Sequence, residues 1–308
     1  MNSIEEACQA ACIGVGIDYK PVPHDGQFHT ANLTDDHKGK NDGRIKIFSD
    51  RQGGIVCNNK SGEKQTFFVN RNSGESVTQA DREHIQREQQ NREREQQAKY
   101  DKAAIKALSI WQSAAPAPAN HPYLMRKQIK PHAARVGSWA RSVMGVDGKY
   151  KKIAIDNCLL IPLYSESGEL RSLQAIFPEK YVELDRDKDM LPGGALAGLF
   201  WWIGAKTEKV LIAEGFATGA TLHEDTGYRV YIAFTANNLL TVGRIVRGKL
   251  PDAEIVFCAD NDKSKGNPGL TKATEAAELV DGAVAVPPNF GDFNDHAIFL
   301  NGLDHDAE

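Results

Sequence analysis

The chain lacks the features that identify several common protein classes. No apolar run in its 308 residues approaches 18 residues, so we predict no transmembrane helix and no membrane partner. The N-terminus, MNSIEEACQA, has no basic region followed by an apolar one, so we predict no secretory signal. The five cysteines are odd in number and scattered, which argues against a disulfide framework. These features lead us to expect a reducing, cytoplasmic location.

Nucleotide-binding patterns are missing as well. No GxxxxGK[ST] sequence occurs, so we do not expect the chain to drive unwinding of nucleic acid by itself. The segment Gly215–Gly219 reads GFATG, which is not GxGxxG, and no acid follows where a ribose would be bound. A dinucleotide site is therefore disfavoured. The net charge is −4, so any binding of nucleic acid must use a local basic patch.

One spacing is close to that of a zinc site. Cys8, Cys12, His24 and His29 form the pattern C-x3-C-x11-H-x4-H. The cysteines, however, lie in a helix-like segment, and the histidines lie in chain that proline and glycine interrupt. No CxxC pair occurs anywhere in the sequence. We therefore expect unligated thiols and surface histidines, and no zinc.

Two short apolar runs end in acidic residues. Val210–Ala213 is followed by Glu214, and Ile255–Ala259 is followed by Asp260, with Asp262 two residues later. Such runs, bounded by turn residues, are typical of buried strands in a parallel sheet. Ligands bind outside the carboxyl ends of these strands. The sequence therefore predicts three carboxylates where an α/β sheet carries out its chemistry.

Carboxylates held close together need a compensating charge. Two of them about 4 Å apart repel by roughly 4 kcal/mol at an effective dielectric near 20, unless a cation lies between them or one takes a proton. Mg²⁺ prefers sites of carboxylate and phosphate oxygens. We therefore interpret Glu214, Asp260 and Asp262 as a Mg²⁺ site, with Mn²⁺ as an alternative. For any one acid taken alone, a capping residue or a polar turn is the better interpretation.

The order of these motifs resembles the Toprim domain, the catalytic module shared by bacterial-type primases, topoisomerases and some nucleases. Glu214-Gly215 matches the glutamate motif of that family, and Asp260-Asn261-Asp262 matches its paired aspartates. The resemblance covers residues 206–300 and implies a Mg²⁺-dependent site of phosphoryl transfer. Alternating strand and helix patterns predict a compatible α/β fold: a Rossmann-like sheet of four parallel strands with helices on both faces.

Residues 120–205 resemble the companion subdomain that precedes the Toprim unit in plasmid and phage primase-like proteins. DNCLLIPLYSESGELRSLQAIF predicts a β-hairpin. The residues that carry the resemblance are Ile161-Pro162-Leu163, Gly168, Gln174, Lys188 and Gly193-Gly194. Lys188 lies beside a glycine-rich loop suited to phosphate, and it is the preferred nucleotide contact. The other candidates for nucleotide or nucleic-acid binding are Arg171, Gly193, Gly194 and Gly215.

The remaining segments complete a predicted modular organisation. Residues 1–76 are predicted to form a small β-rich domain, similar to a zinc-ribbon module without its full ligand set. Its basic and aromatic residues suit either contact with nucleic acid or an ordinary solvated sheet. Residues 77–119 predict a charged helical linker with an apolar stripe that packs on a domain. The stripe consists of Ile105, Leu108, Ile110 and Trp111.

Two further acids, Asp292 and Asp295, follow the last predicted strand. Asp292 is a further candidate for the metal site. Either acid, alternatively, caps the next helix, and Asp295 is the more expected cap.

The resemblance implies a plasmid or phage primase. It would synthesise short RNA primers on single-stranded DNA from nucleoside triphosphates, and a separate replicative helicase would be its partner. Two alternatives stay open: a Toprim nuclease, and a catalytically silent protein that binds nucleic acid or a protein partner. The hairpin and Lys188 favour polymerisation, because a nuclease needs no platform for a nucleotide. The three acids argue against a silent protein, which would keep their repulsion without benefit.

Overall fold

The computed structural model describes residues 3–35, 41–69, 79–144, 149–262, 267–289 and 291–305. The chain divides into two units, Met1–Glu88 and Gln89–Glu308. The first unit contains one small sheet, and the second contains two larger sheets that share a core.

In the described part of the first unit, a short helix packs on a four-stranded antiparallel sheet. Helix α1 spans Ile4–Gly14 and begins at a capping box, in which Ser3 and Glu6 each accept a hydrogen bond from the other's backbone N–H group. The strands pair in chain order and are β1 (His29–Ala31), β2 (Gly43–Ile47), β3 (Gly53–Asn58) and β4 (Lys64–Phe68). The sheet confirms the predicted β-rich fold. The predicted boundary at residue 76 lies outside the described residues.

The four residues with zinc-like spacing have structural roles in this unit. Cys8 and Cys12 are both fully buried in its core. His24 and His29 each hydrogen-bond a neighbouring side chain at the surface, at 2.8 and 3.0 Å. Packing and surface hydrogen bonds therefore account for all four side chains.

A helix of 35 residues, α2 (Gln79–Ser113), spans the boundary between the two units. Residues 89–99 of the helix are exposed, whereas Ala103 and Ala107 are buried against the following sheet. In the predicted apolar stripe, Ile110 and Trp111 pack on the same sheet, which confirms that part of the prediction. Ile105 is 72% exposed and Leu108 is 45% exposed, so the prediction is wrong for these two residues. The sheet contacts the alanine side of the helix, because small side chains let the backbones approach closely. No helix in the described ranges is long and apolar enough to cross a membrane.

A five-stranded antiparallel sheet, called the companion sheet below, begins the second unit. Its strands pair in chain order and are β5 (Ala115–Pro116), β6 (Arg135–Met144), β7 (Tyr150–Tyr164), β8 (Leu170–Tyr181) and β9 (Arg186–Met190). Helix α3 (Pro122–Lys127) packs on β8. Strands β7 and β8 confirm the predicted hairpin. Gly168 in its turn has a φ of +83°, which glycine adopts without strain.

A mostly parallel sheet follows in the order β10-β12-β11-β13-β14. Its strands are β10 (Trp201–Ile203), β11 (Lys209–Ala213), β12 (Arg229–Ile232), β13 (Glu254–Cys258) and β14 (Ala283–Ala285). Its helices are α4 (Phe216–Thr226), α5 (Leu239–Lys249), α6 (Pro268–Val280) and α7 (Phe293–His305). The four predicted parallel strands are confirmed. The structure adds β10 as a fifth, antiparallel edge strand.

The two sheets of the second unit share one hydrophobic core. Phe216, the first residue of α4, stacks on Trp201 with ring centroids 5.5 Å apart. Both pack with Ile161 and Ile176 of the companion sheet. Helices α5 and α6 cover the opposite face of the parallel sheet. The start of α4, directly after Glu214, is therefore held by both sheets.

Buried Asn238 secures the turn that follows β12. Its Oδ1 accepts a hydrogen bond from the backbone N–H of Gly198 at 2.8 Å. Its Nδ2 donates to the carbonyls of Leu199 and Ala233 at 2.8 and 2.9 Å. One side-chain amide therefore satisfies three backbone groups and joins the segment before β10 to the residue that follows β12.

We predict that Asn238→Ala destabilises the protein by about 3 kcal/mol, because it leaves three backbone groups without their partner. The melting temperature, measured by calorimetry, should fall by about 6 °C or more. Asn237→Ala is the matched control, because Asn237 is exposed and next in sequence. Equal melting temperatures for the two variants would contradict the prediction.

Candidate active site

The predicted acids meet at one edge of the parallel sheet. Strands β11 and β13 are parallel neighbours, with Ala213 in register with Cys258. Glu214 directly follows the first strand, and Asp260 comes two residues after the second. Because the carboxyl ends of parallel strands share one edge, the sequence-based placement of these acids agrees with the structure.

Burial dominates the electrostatics of Asp260. It raises the pKa of this carboxyl group to about 7, and the charges of Asp292, Glu214 and Asp262 add to the shift. Its Oδ1 is buried and has no hydrogen-bond partner in the described structure. An ionised Asp260 is therefore poorly compensated by the protein alone.

Glu214 is influenced by both signs of charge. Burial raises the pKa of its carboxyl group, and the charge of Asp262 adds to that effect. The backbone N–H of Ala236 and the ammonium group of Lys188 act in the opposite direction. Lys188 of the companion sheet therefore lies within electrostatic reach of the acids, although it is 26 residues away in the chain.

Asp292 joins the same group through the start of α7. Its Oδ1 accepts the backbone N–H of Asp295 at 2.8 Å, and its Oδ2 accepts the hydroxyl of Thr218 at 3.2 Å. Asp292 is therefore the cap of α7, and the expectation that Asp295 is the cap is wrong. Asp295 lies in the first turn instead, where its carboxylate faces the backbone N–H of Asp292 at 3.5 Å. We call Glu214, Asp260, Asp262 and Asp292 the carboxylate cluster.

Asn261, between the paired aspartates, holds their loop in place. Its side chain is buried, and Nδ2 donates to the carbonyls of Pro287 and Asn289 at 3.2 and 3.1 Å. Its backbone pairs with Gly291. The loop that carries Asp260 is thus fastened to the segment that leads to Asp292. Sequence reasoning assigned no role to Asn261, because an asparagine in a polar turn is not informative by itself.

Helix α3 brings Lys127 and Tyr123 close to the acids, and sequence reasoning gave no role to Tyr123. Lys127 pairs with Asp295 at 2.9 Å, and Asn294 donates to the carbonyl of Lys127 at 2.7 Å. Tyr123 is 1% exposed, and the ammonium of Lys188 lies 6.0 Å from its ring centroid. The proximity of this helix to the acids follows from tertiary packing.

Two other candidate positions have local structural roles. Arg171 pairs with Asp101 of helix α2 at 2.5 Å, which occupies its guanidinium group. Gly193 has a φ of +75°, and a side chain at Gly194 would collide with Ser172. Arg171 thus joins a helix to the companion sheet, and the two glycines form a tight turn after β9. Their contact with a ligand stays a prediction.

Gly215 is the N-cap residue of α4 and has an extended backbone, with a φ of −102°. An added Cβ would meet only the hydroxyl of Thr218, at 3.6 Å. Neither backbone strain nor crowding therefore requires a glycine here. Its proposed role in binding an anion at the helix N-terminus also stays a prediction.

The donor set suits a hard divalent cation. Carboxylate oxygens are the preferred protein ligands of Mg²⁺, and the buried Oδ1 of Asp260 lacks a partner. Within the described ranges, no three His, Cys, Asp or Glu side chains are already arranged around one metal position. The carboxylates would therefore have to rotate toward a cation, which mutual repulsion opposes while none is bound.

Comparison with known proteins assigns a family to the C-terminal part of the second unit. Residues 209–299 match the family model of the Toprim domain. Two proteins of Escherichia coli, each named DNA primase TraC, are 27% and 26% identical to the chain over 278 residues. The matches cover 85% of this chain, but 24% and 18% of those proteins. The chain thus spans about a quarter or less of these relatives.

Among solved structures, the RNA polymerase domain of Mycobacterium tuberculosis primase DnaG is similar, with a TM-score of 0.41 and 16% identity. The similarity covers 65% of this chain and 78% of that one.

We predict that Asp260→Asn stabilises the protein when divalent cations are removed by a chelator. The folded-state pKa of about 7 lies above the value of 3.8 for a free aspartate, so stability is lost as the pH rises between these values. Denaturant unfolding at pH 8 should show a gain of the order of 2 kcal/mol, which shrinks toward pH 5.

Asp252→Asn is the control for this effect, because Asp252 is an exposed acid at the opposite edge of the sheet, before β13. Two results would contradict the prediction. Either Asp260→Asn is no more stable than this control at pH 8, or its gain in the free energy of unfolding is as large at pH 5 as at pH 8.

Proposed function

Because residues 209–299 form a Toprim domain, we propose that this chain is a primase-like nucleotidyltransferase. In this proposal it joins ribonucleotides into short RNA primers on single-stranded DNA. The 3′-hydroxyl of one ribonucleotide loses its proton and attacks the α-phosphate of an incoming nucleoside triphosphate. The bond between the α- and β-phosphates breaks, and pyrophosphate leaves. Similarity to proteins named DNA primase supports this choice of reaction.

The observation that carries the proposal is the meeting of opposite charges from the two sheets. The parallel sheet supplies the carboxylate cluster, and the companion sheet supplies Lys188. In the described ranges no ion pair is formed by Lys188, whereas Lys127, Lys180 and Arg186 each pair with an aspartate. A cation without a fixed partner beside a site of acidic groups suits the phosphates of a nucleotide.

Glu214, Asp260 and Asp262 would hold Mg²⁺ or Mn²⁺, and Asp292 would lie beside them. A metal ion bound there supplies charge neutralisation for the transferring phosphoryl group and its attacking and leaving oxygens. An alternative role for Glu214 is to accept the proton of the attacking hydroxyl group. Asn261 and Thr218 hold the paired aspartates and Asp292 in place.

The proposed partners follow from the reaction. The template is single-stranded DNA, and the substrates are ribonucleoside triphosphates. The sequence has no GxxxxGK[ST] motif, so the proposal assigns the opening of duplex DNA to a separate helicase. Polymerisation is preferred over a nuclease reaction because the charge of Lys188, from outside the Toprim domain, acts on Glu214.

We predict that Glu214→Gln and Asp260→Asn each lower the incorporation of labelled ribonucleotides by about 100-fold or more, since each removes a charged group at the reacting phosphate. The assay uses single-stranded DNA with Mg²⁺ or Mn²⁺, and products are sized on denaturing gels. Asp252→Asn should keep the activity of the unchanged chain. Degradation of the template, lost in both variants, would favour the nuclease. Single-strand binding without any metal-dependent reaction would favour the silent protein.

We also predict that Lys188→Met raises the KM for the nucleotide about tenfold, because a charge-assisted contact with phosphate is lost. Lys180→Met is the matched control, since Lys180 is an exposed lysine of the same sheet that pairs with Asp185. Steady-state kinetics with ATP and GTP on single-stranded DNA distinguish the two. An unchanged KM in Lys188→Met would remove Lys188 from the nucleotide site.

A further inference from the structure

Strand β9 carries two charged residues that serve opposite faces of the companion sheet. Successive side chains of a strand point to opposite sides, so Lys188 and Asp189 diverge. Lys188 lies over the ring of Tyr123 and acts on the charge of Glu214. Asp189 is 4% exposed and points into the sheet's other face. Because the two residues are consecutive on β9, a shift of this strand moves both side chains.

Two hydrogen-bond donors and one further guanidinium group surround the buried carboxylate of Asp189. The indole Nε1 of Trp139 donates to its Oδ2 at 2.8 Å, and Nε of Arg141 lies 3.0 Å from the same oxygen. Arg186 donates to Oδ1 at 3.1 Å. A carboxylate that is buried with two guanidinium groups and an indole has a fixed orientation, because any rotation breaks at least one of these contacts.

These contacts reach across the sheet. Trp139 and Arg141 belong to β6, which is three strand positions away from β9 in the sheet order. Three intervals of about 4.8 Å place the two strands roughly 14 Å apart in a flat sheet. Contacts near 3 Å therefore need a curled sheet and long side chains. Asp189 thus ties the edge strand to β6 across the two strands between them.

Backbone pairing alone holds β9 weakly at Lys188. As an edge strand, β9 pairs with β8 only. Regular pairing ends with Lys188 opposite Ile176, and the register is irregular from there to the pair of Arg186 and Tyr181. The side-chain contacts of Asp189 are adjacent to this point. These contacts hold β9 at the point where its backbone pairing with β8 becomes irregular.

We propose that Asp189 is a positioning residue, whose buried hydrogen-bonded carboxylate fixes β9 so that the ammonium group of Lys188 stays over the ring of Tyr123. This inference rests on the proposed function, in which Lys188 contacts the phosphates of the nucleotide. Asp189 touches neither the nucleotide nor the acids and acts through Lys188.

The first test is a double-mutant cycle with Asp189→Asn and Lys188→Met in the full chain, with ATP and GTP on single-stranded DNA. Asp189→Asn should raise the KM about fivefold with a change in kcat of less than about twofold, and it should add nothing in the Lys188→Met background. A purely structural role would lower activity equally in both backgrounds, and that result overturns the proposal. Asp185→Asn, an exposed acid of the same sheet, should leave the KM unchanged.

The second test does not depend on primer synthesis. Acylation of lysines by a water-soluble acetyl ester, followed by mass spectrometry, gives the rate at Lys188 relative to exposed Lys152. Asp189→Asn should change this ratio about threefold or more, which is half a decade on a logarithmic scale. Asp185→Asn should leave the ratio unchanged. An unchanged ratio overturns the proposal. If the unmodified chain incorporates no ribonucleotide, the proposed function fails while this ratio still tests Asp189.

A third variant covers the case in which Asp189→Asn does not fold. Arg186→Gln removes one donor from a side chain that is 46% exposed, and it leaves Trp139 and Arg141 in place. It should change the acylation ratio and the KM in the same direction as Asp189→Asn, by a smaller factor. A variant that folds and shows neither change contradicts the proposal.

Discussion

The repulsion among buried carboxylates is the constraint on which the rest of the second unit depends. Burial and three neighbouring acids raise the pKa of Asp260 to about 7, and one of its oxygens has no partner. A chain free to relax would move these groups apart. They stay together because β11 and β13 are adjacent parallel strands in a fixed register, and because Asn261 fastens the following loop. The sheet therefore maintains a charge arrangement that the side chains alone would not adopt.

Lys188 of the companion sheet, which lies outside the Toprim domain, acts against this negative charge. Its core is continuous with the core under α4, where Phe216 and Trp201 pack with residues of β7 and β8. This shared core fixes the distance between β9 and the acids, so Lys188 can lower the pKa of Glu214. Apolar packing in the middle of the unit thus decides the electrostatics at its edge.

Sequence reasoning predicted the parts of this arrangement that local patterns encode. Apolar runs that end in Glu214 and Asp260 locate the strands and the acidic edge. They do so because a run of apolar residues and the turn residues that end it are local properties of the sequence. The packing of Ile105 on the sheet was predicted wrongly, since hydrophobicity along a helix does not say which side a sheet will approach. Tyr123 and Asp189 gave no signal, because their roles depend on strands and helices that meet only in the folded chain.

The division of charge between two sheets has a physical consequence for the proposed reaction. A lysine that lies against a single carboxylate forms a fixed ion pair, as Lys127 of α3 does with Asp295, and its charge is then lost to a ligand. Lys188 avoids this because it projects from a different sheet and is held over the ring of Tyr123 instead of against a carboxylate. The separation keeps both the acids and the cation incompletely neutralised. A nucleotide with its metal ion carries both signs of charge, so it can compensate both groups at once.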